Sequence, residues 1–367
     1  MNTQHYAELK KIIEINSWTH NKVGVDEASA IFAGWVGALG MTLERHSREH
    51  IGDHLFFRSK HTEGKKLLLL GHLDTVFAPD TFEGFREDEA WVYGPWVCDM
   101  KGGNYVALQA LRKLHAKYGE VVNIDMLLVS DEETGSDDSK HLSSQLAPEY
   151  DYCMVFEAAG GHGEIVIGRK GIGLFSIEIE GIAKHAGNHY WEGADANQEA
   201  AHKLLALNAI SDQEKQTTLN VGVIEGGIGA NTISPKATLT FDLRYTDTKE
   251  KERALREIDT IVKETHISGT SSTLTGDILR DVMQPTAAQQ VWIERINTLC
   301  HTTLPTEKRG GVSDANIIAS AGTVVTDGWG PFGDGDHTIH ERASKQSFIE
   351  RIALVSEIFV QHVEGKL

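Results

Sequence analysis

Three short apolar runs, each ending in acids or a histidine, constrain this chain more than any other feature. KKLLLLGHLDTV, VVNIDMLLVS and YDYCMVFE are near-continuous in apolar residues, as strands buried on both faces are. Around them, LKKIIEI, DEASAIFAGWVGALGM and KGGNYVALQALRKLHAKYG carry apolar residues at helical spacing. Buried strands alternating with amphipathic helices predict an α/β domain with a mainly parallel sheet and flanking helices. From about Gly168 the pattern changes. GLFSIEIEG alternates apolar and polar residues, as an antiparallel strand with one wet face does. A helix (ANQEAAHKLLALNAI), two strand-like runs (TLNVGVIEGG and KATLTFDLRY) and a charged helix (TKEKERALREIDTIVKETH) follow. These read as a βαββαβ unit large enough for its own core. After about Pro285 the α/β pattern resumes and ends in the amphipathic helix SFIERIALVSEIFVQHV. The expected organisation is a domain of residues 1–167 and 282–367 with a smaller domain, 168–281, inserted into it.

Charge and cysteine usage narrow the function classes. A formal net charge of −18 opposes binding to nucleic acid. No apolar run approaches the roughly 18 residues a membrane helix needs, and MNTQHYAELKKIIEI lacks the basic start and apolar centre of a signal peptide. Cys98, Cys153 and Cys300 are widely spaced and odd in number. They form neither a disulfide framework nor a CxxC metal site, so a reducing, cytoplasmic location is expected.

The chemistry gathers after the strands. His72 and Asp74 follow the LLLLG run, Asp99 lies in GPWVCDMKGG, Glu132 and Glu133 follow VVNIDMLLVS, Glu157 ends YDYCMVF, and His337 lies in GPFGDGDHTIHE. In parallel α/β sheets, sites form at the carboxyl ends of strands. One imidazole and several carboxylates meeting there suit a divalent metal, and two such sets suit a pair. Singly, Asp74 or Glu133 reads as a helix cap or a solvated turn residue, and a lone His72 as structural. Repetition after three separate strands favours the metal reading. The glycines after Asp99, Gly102 and Gly103, are expected to open a helix; no GxxxxGK[ST] phosphate loop is present.

The segments GHLDTVF, GPWVCDMKGG, SDEETGS, FEAA, GRKG, KHAGNHYWEGADAN, GANTIS, DLRY, GGVSDAN and GDGDHTIHER occur in an order that resembles the M20 metallopeptidases, nearest their glutamate carboxypeptidase (carboxypeptidase G2-like) branch. The resemblance spans nearly the whole chain. It implies a zinc exopeptidase-like catalytic domain with an inserted lid and dimerisation domain, and two zinc ions per chain, with manganese or cobalt as substitutes. His72 and Glu157 would hold one ion, Glu133 and His337 the other, and Asp99 would bridge them. Glu132 would be the general base that takes a proton from the attacking water and returns it to the leaving nitrogen. Asp74 would accept a hydrogen bond from the far ring nitrogen of His72. His185 would stabilise the tetrahedral oxyanion. Asn231 and Arg244 would bind the substrate carboxylate, with Arg309 as a second candidate; on its strand Arg244 equally suits a surface ion pair.

The implied activity is that of a metallocarboxypeptidase acting on a dipeptide or N-acyl amino acid with a free carboxylate, in a homodimer whose lid swings to bring His185 and Arg244 towards the metals. The alternatives are a deacylase of N-acyl amino acids, whose chemistry is identical, and a catalytically silent ligand-binding relative, which is expected to lack the base or a ligand; all of these residues are present here. Gly310 and Gly311 are expected to let the backbone approach the site closely. Three positions depart from the family pattern. Trp96 stands where glycine is usual and would narrow the cleft, reshape the loop or wall the substrate. Cys98, beside Asp99, reads as a small buried residue. In DHTIHE, His337 is taken as the ligand with His340 as the fallback, and Glu341 and Arg342 are expected to line the site with no role assigned.

Overall fold

The computed structural model describes Met1 and residues 3–367. It divides into two compact units. One comprises Met1–Gly168, Pro285–Arg309 and Ser313–Leu367; the other comprises Arg169–Gln284 with Gly310–Val312.

The first unit is built on a six-stranded mixed sheet. Its strands run in the order Thr42–His46, His54–Arg58, Ile124–Val129, Leu67–His72, Tyr152–Val155 and Val324–Thr326. The first two form an antiparallel hairpin that also pairs antiparallel with Ile124–Val129; the remaining pairings are parallel. Leu67–His72 and Ile124–Val129 are buried along their whole length, as their unbroken apolar runs require. Helices Lys101–Tyr118 and Lys345–Val363 pack together beside the sheet. Leu69, Met126, Met154, Leu108, Leu111, Val355 and Phe359 meet in one continuous core. The sequence pattern missed the hairpin, because TLERH is a mostly exposed edge strand with two charged residues and HLFFR is only 5 residues long. It also missed a small sheet of short strands, ordered Gly333–Asp334, Arg342–Ser344, Trp91–Tyr93 and Arg86–Glu87.

The second unit is a four-stranded antiparallel sheet in the order Thr218–Gly226, Lys236–Tyr245, Gly171–Glu180 and Ser271–Arg280, with helices Ala196–Asn208 and Thr248–Lys263. Its chain order is βαββαβ. Burial alternates along Gly171–Glu180 and Lys236–Tyr245, so every second residue packs inward. Phe175 and Phe241 are register partners and stack with centroids 5.6 Å apart. Ala196, Ala200, Ala254 and Ile258 on the helices complete a separate core. Both helices start on an aspartate, Asp195 and Asp247, whose side chain accepts backbone N–H groups of the first turn.

Candidate metal centre

The sheet register sets the centre. Leu67–His72 is the middle of three adjacent parallel strands, with His72 opposite Val129 and Leu70 opposite Val155. The segments carrying His72, Glu132–Glu133 and Glu157 therefore leave the sheet side by side, about 5 Å apart in strand spacing. The fourth approach is the helix that begins at Lys101. A Cβ at Gly103 would lie 1.8 Å from the Phe156 carbonyl oxygen, and one at Gly102 2.0 Å from that of Val97. Glycine there lets the helix start press against the strand end that carries Glu157. Asn104 on the same helix donates to the His72 carbonyl at 2.6 Å.

Two groups of side chains converge. His72, Asp99 and Glu157 form one, and Asp99, Glu133 and His337 the other; within each, the donor atoms lie within 4.8 Å of one another. Asp99 belongs to both through different oxygens. Its Oδ1 lies 3.1 Å from His72 Nε2, and its Oδ2 lies 3.2 Å from His337 Nε2. His72 Nε2 is also 3.6 Å from Glu157 Oε1, and His337 Nε2 is 3.3 Å from Glu133 Oε2. The Nδ1–H of His72 donates to the Asp74 backbone carbonyl at 3.0 Å, which leaves the Nε2 lone pair turned to the carboxylates. His337 holds its place with a left-handed φ of 59°.

The electrostatics of the cluster call for a cation. Burial, then the Asp99 charge, raise Glu157 well above the carboxylate range and push Glu133 up to about 8. Hydrogen bonds to Asp99 and Glu133 outweigh burial at His337 and carry it up to about 11. Burial also opposes ionisation of Asp99, but the two histidines outweigh it and hold that carboxyl well below its usual range. Glu133 Oε1 is buried without a hydrogen-bond partner. Carboxylates crowded in this way beside two imidazoles fit divalent ions of the zinc class, which would take the place of the ring protons.

Asp74 meets the far ring nitrogen of His72, as expected, but chiefly through its backbone. The carbonyl of Asp74 takes the His72 ring N–H, while its carboxylate Oδ1 stands 3.5 Å from that nitrogen. The carboxylate accepts the backbone N–H groups of Glu132 and Glu133, each at 3.1 Å, and the Thr19 hydroxyl at 2.8 Å. It therefore fastens the acidic turn to the His72 strand. Glu132 and Glu133 lie together in the 3₁₀ turn Glu132–Thr134, where the Glu133 side chain is buried and Glu132 is half-buried.

Trp96 is neither a cleft wall nor an obstruction. Its indole is fully buried and tilts against Phe77 at a centroid distance of 5.1 Å. A left-handed φ of 67° accounts for glycine being the residue expected there. Cys98 is fully buried, and burial raises its thiol well above the usual range. His340 is not among the converging ligands; it lines a cavity of about 610 Å³ with Phe82, Phe85 and Tyr93. Glu341, expected only to line the site, accepts three backbone N–H groups of the Asp99 loop.

His185, Asn231 and Arg244 belong to the second unit. His185 and Thr232 form an antiparallel bridge, and the Ala186 N–H donates to the Asn231 carbonyl at 2.9 Å. The His185 Nδ1 accepts the N–H groups of Gly187 and Asn188, both at 3.2 Å. Arg244 pairs with Asp242 at 3.1 Å and donates to the Gly310 carbonyl at 3.4 Å. Gly310 and Gly311 are not pressed against other atoms of the chain, since a Cβ on either would meet none within 4 Å. Their carbonyls instead accept Arg244 and Arg169. Arg309 is held by Glu307 and the Ala158 carbonyl.

Residues 167–270 match the M20 peptidase dimerisation domain model. The chain is similar to carboxypeptidase G2 of Pseudomonas sp. (strain RS-16), 32% identical over 258 residues, which is 68% of this chain and 62% of that protein. The matched part thus spans about three-fifths of that relative's length. In fold, the chain is similar to aminopeptidase PepT from Bacillus cereus ATCC 10987, with a TM-score of 0.80, 19% identity and 99% of each chain covered. It is also similar to a dinuclear metal binding M20 peptidase from Bacillus subtilis, with a TM-score of 0.73, 11% identity, and 99% of this chain and 98% of that one covered. The inserted unit thus matches an M20 dimerisation domain, and the chain as a whole is similar in sequence and fold to M20 peptidases.

Proposed function

We propose that this protein is a di-zinc hydrolase that cleaves the amide bond of a dipeptide or N-acyl amino acid bearing a free carboxylate. The observation that carries the reading is the division of Asp99 between two histidines, Oδ1 towards His72 and Oδ2 towards His337. A carboxylate so placed can give one oxygen to each of two ions. His72 and Glu157 would complete one ligand set, Glu133 and His337 the other. Bound there, zinc supplies Lewis acidity and makes water easier to deprotonate near neutral pH.

The chain's own residues supply the rest. Glu132 takes the proton of the attacking water and returns it to the leaving nitrogen. Asp74 holds the Glu132 and Glu133 amides, so base and ligand keep one spacing. Because the Nδ1 of His185 accepts two backbone N–H groups, its neutral ring carries the proton on Nε2. That N–H is assigned to the oxyanion that develops on the substrate carbonyl. Asn231 and Arg244 are assigned to the substrate carboxylate, for which Arg244 would exchange its contact with Asp242. Likeness to a carboxypeptidase supports a substrate with a free C-terminus, glutamate among the candidates.

The inserted unit is assigned a second role, homodimer formation. It matches a dimerisation domain, and its edge strand Thr218–Gly226 exposes Val223 and Ile224 beside a helix that exposes Leu205.

A panel of dipeptides and acetylated amino acids, assayed with zinc-loaded wild type and Glu132→Ala, tests the catalytic reading. Zinc-dependent turnover lost in the variant is expected, and the preferred half of the panel separates peptidase from deacylase. Equal turnover by Glu132→Ala would remove Glu132 from the mechanism.

A further inference from the structure

Asp99 sits in a loop with little regular structure, between the strand Trp91–Tyr93 and the helix starting at Lys101. One distant side chain organises that loop. Glu341 is fully buried. Its Oε2 accepts the Trp96 N–H at 2.8 Å, and its Oε1 accepts those of Cys98 and Asp99 at 2.9 and 3.1 Å. Its carbonyl accepts the Gly94 N–H at 3.4 Å. Among the described residues, this carboxylate has no ion pair within 4 Å; backbone N–H groups hydrogen-bond it, and the buried Lys101 interacts with it electrostatically. Such convergence needs the chain to turn back on itself, which the left-handed Trp96 does.

Glu341 also ends the other ligand loop. His337 lies four residues upstream, and the segment between is closed by Thr338 N–H to the Gly335 carbonyl at 2.9 Å and Glu341 N–H to the Thr338 carbonyl at 3.3 Å. One residue therefore joins the segment that carries Asp99 to the segment that carries His337.

We propose that Glu341 is a positioning residue of the metal centre, whose carboxylate sets the spacing and orientation of Asp99 against His337. The inference rests on the reading of that centre as metal-binding. A carboxylate is needed because both oxygens accept. A glutamine in its place would offer one acceptor oxygen and turn an N–H group towards another donor. Outer partners of this kind commonly alter metal affinity 10–100-fold. Burying a further negative charge beside Asp99 opposes folding of the metal-stripped chain, so its removal offsets part of the hydrogen bonding lost.

The test uses the full chain stripped by chelation, as wild type, Glu341→Gln and Glu341→Asp. Zinc affinity is read by competition with a chromophoric chelator, and the stability of each stripped protein by thermal unfolding. Both variants are expected to lose about tenfold or more in zinc affinity, with stripped Glu341→Gln melting within a few degrees of wild type. Unchanged zinc affinity in either folded variant overturns the proposal. So does a fall in affinity matched by a large fall in stripped stability for both variants, which would mark Glu341 as a general structural residue. If Glu341→Gln does not fold, Glu341→Asp, which keeps the charge one methylene shorter, decides by the same affinity criterion. Wild type that binds no zinc would instead overturn the metal-centre reading itself.

Discussion

Glu132 and Glu133 are neighbours in sequence with different surroundings. The Glu133 side chain is buried beside His337 and Asp99, while Glu132 is half-buried. The same short turn thus separates a ligand from a candidate base. Replacing Glu132 by alanine is predicted to lower kcat by about 10²–10⁴-fold, the usual worth of a general base, with KM changed far less; steady-state kinetics on the preferred substrate checks this. At this scale the sequence was uneven. Strand-end positions marked His72, Glu133 and Glu157, because a buried run that stops at an acid is visible in one dimension. The service of Glu341 to the Asp99 loop was not visible, since its partners are backbone amides more than 240 positions away. Nor was the division of labour within Asp74, carbonyl to His72 and carboxylate to the acidic turn, because both atoms belong to one letter.

Among the elements, the hairpin Thr42–Arg58 and the helix Lys22–Gly37 are joined by Asp53. Its carboxylate meets Lys22 at 3.0 Å, Arg45 at 3.2 Å and the Arg48 N–H at 3.0 Å, and its carbonyl accepts the Ser130 hydroxyl at 2.9 Å, next to the acidic turn. Burial pushes this carboxyl up, but the Arg48 amide and the two cations outweigh it and bring it down to about 2, from an ordinary 3.8. A folded value below the unfolded one stabilises above pH 4, and that stability is lost as pH falls from about 4 to 2. The shift corresponds to about 2 kcal/mol. Urea unfolding of wild type and Asp53→Asn is predicted to differ by about that amount at pH 5 and to converge near pH 2. A constant gap across that range would show that Asp53 acts through packing. The elements most legible in the sequence were those with long periodic or unbroken apolar patterns, such as Leu67–His72 and Lys101–Tyr118. The short strands Gly333–Asp334, Arg342–Ser344, Trp91–Tyr93 and Arg86–Glu87, two or three residues long, follow from pairing in three dimensions and leave almost no pattern.

For the whole molecule, the switch near Gly168 from unbroken to alternating strands marked a second architecture, because a sheet covered on one face and a sheet covered on both need different periodicities. Among the described residues, no helix is long and apolar enough to cross a membrane. The inserted unit leaves apolar residues on one edge, Leu205 at 70% and Ile224 at 56% exposure, and an open edge strand is a ready pairing surface. Light scattering is predicted to give twice the chain mass for wild type and a shift towards monomer for Ile224→Lys; a monomeric wild type would refute dimerisation by this unit. Whether two ions share Asp99 is decided by counting zinc per chain after stripping, reloading and desalting. Two per chain are predicted for wild type and for Glu132→Ala, and one each for Glu133→Ala and Glu157→Ala. A wild type holding one or none, or a Glu133→Ala protein that still holds two, would contradict such sharing.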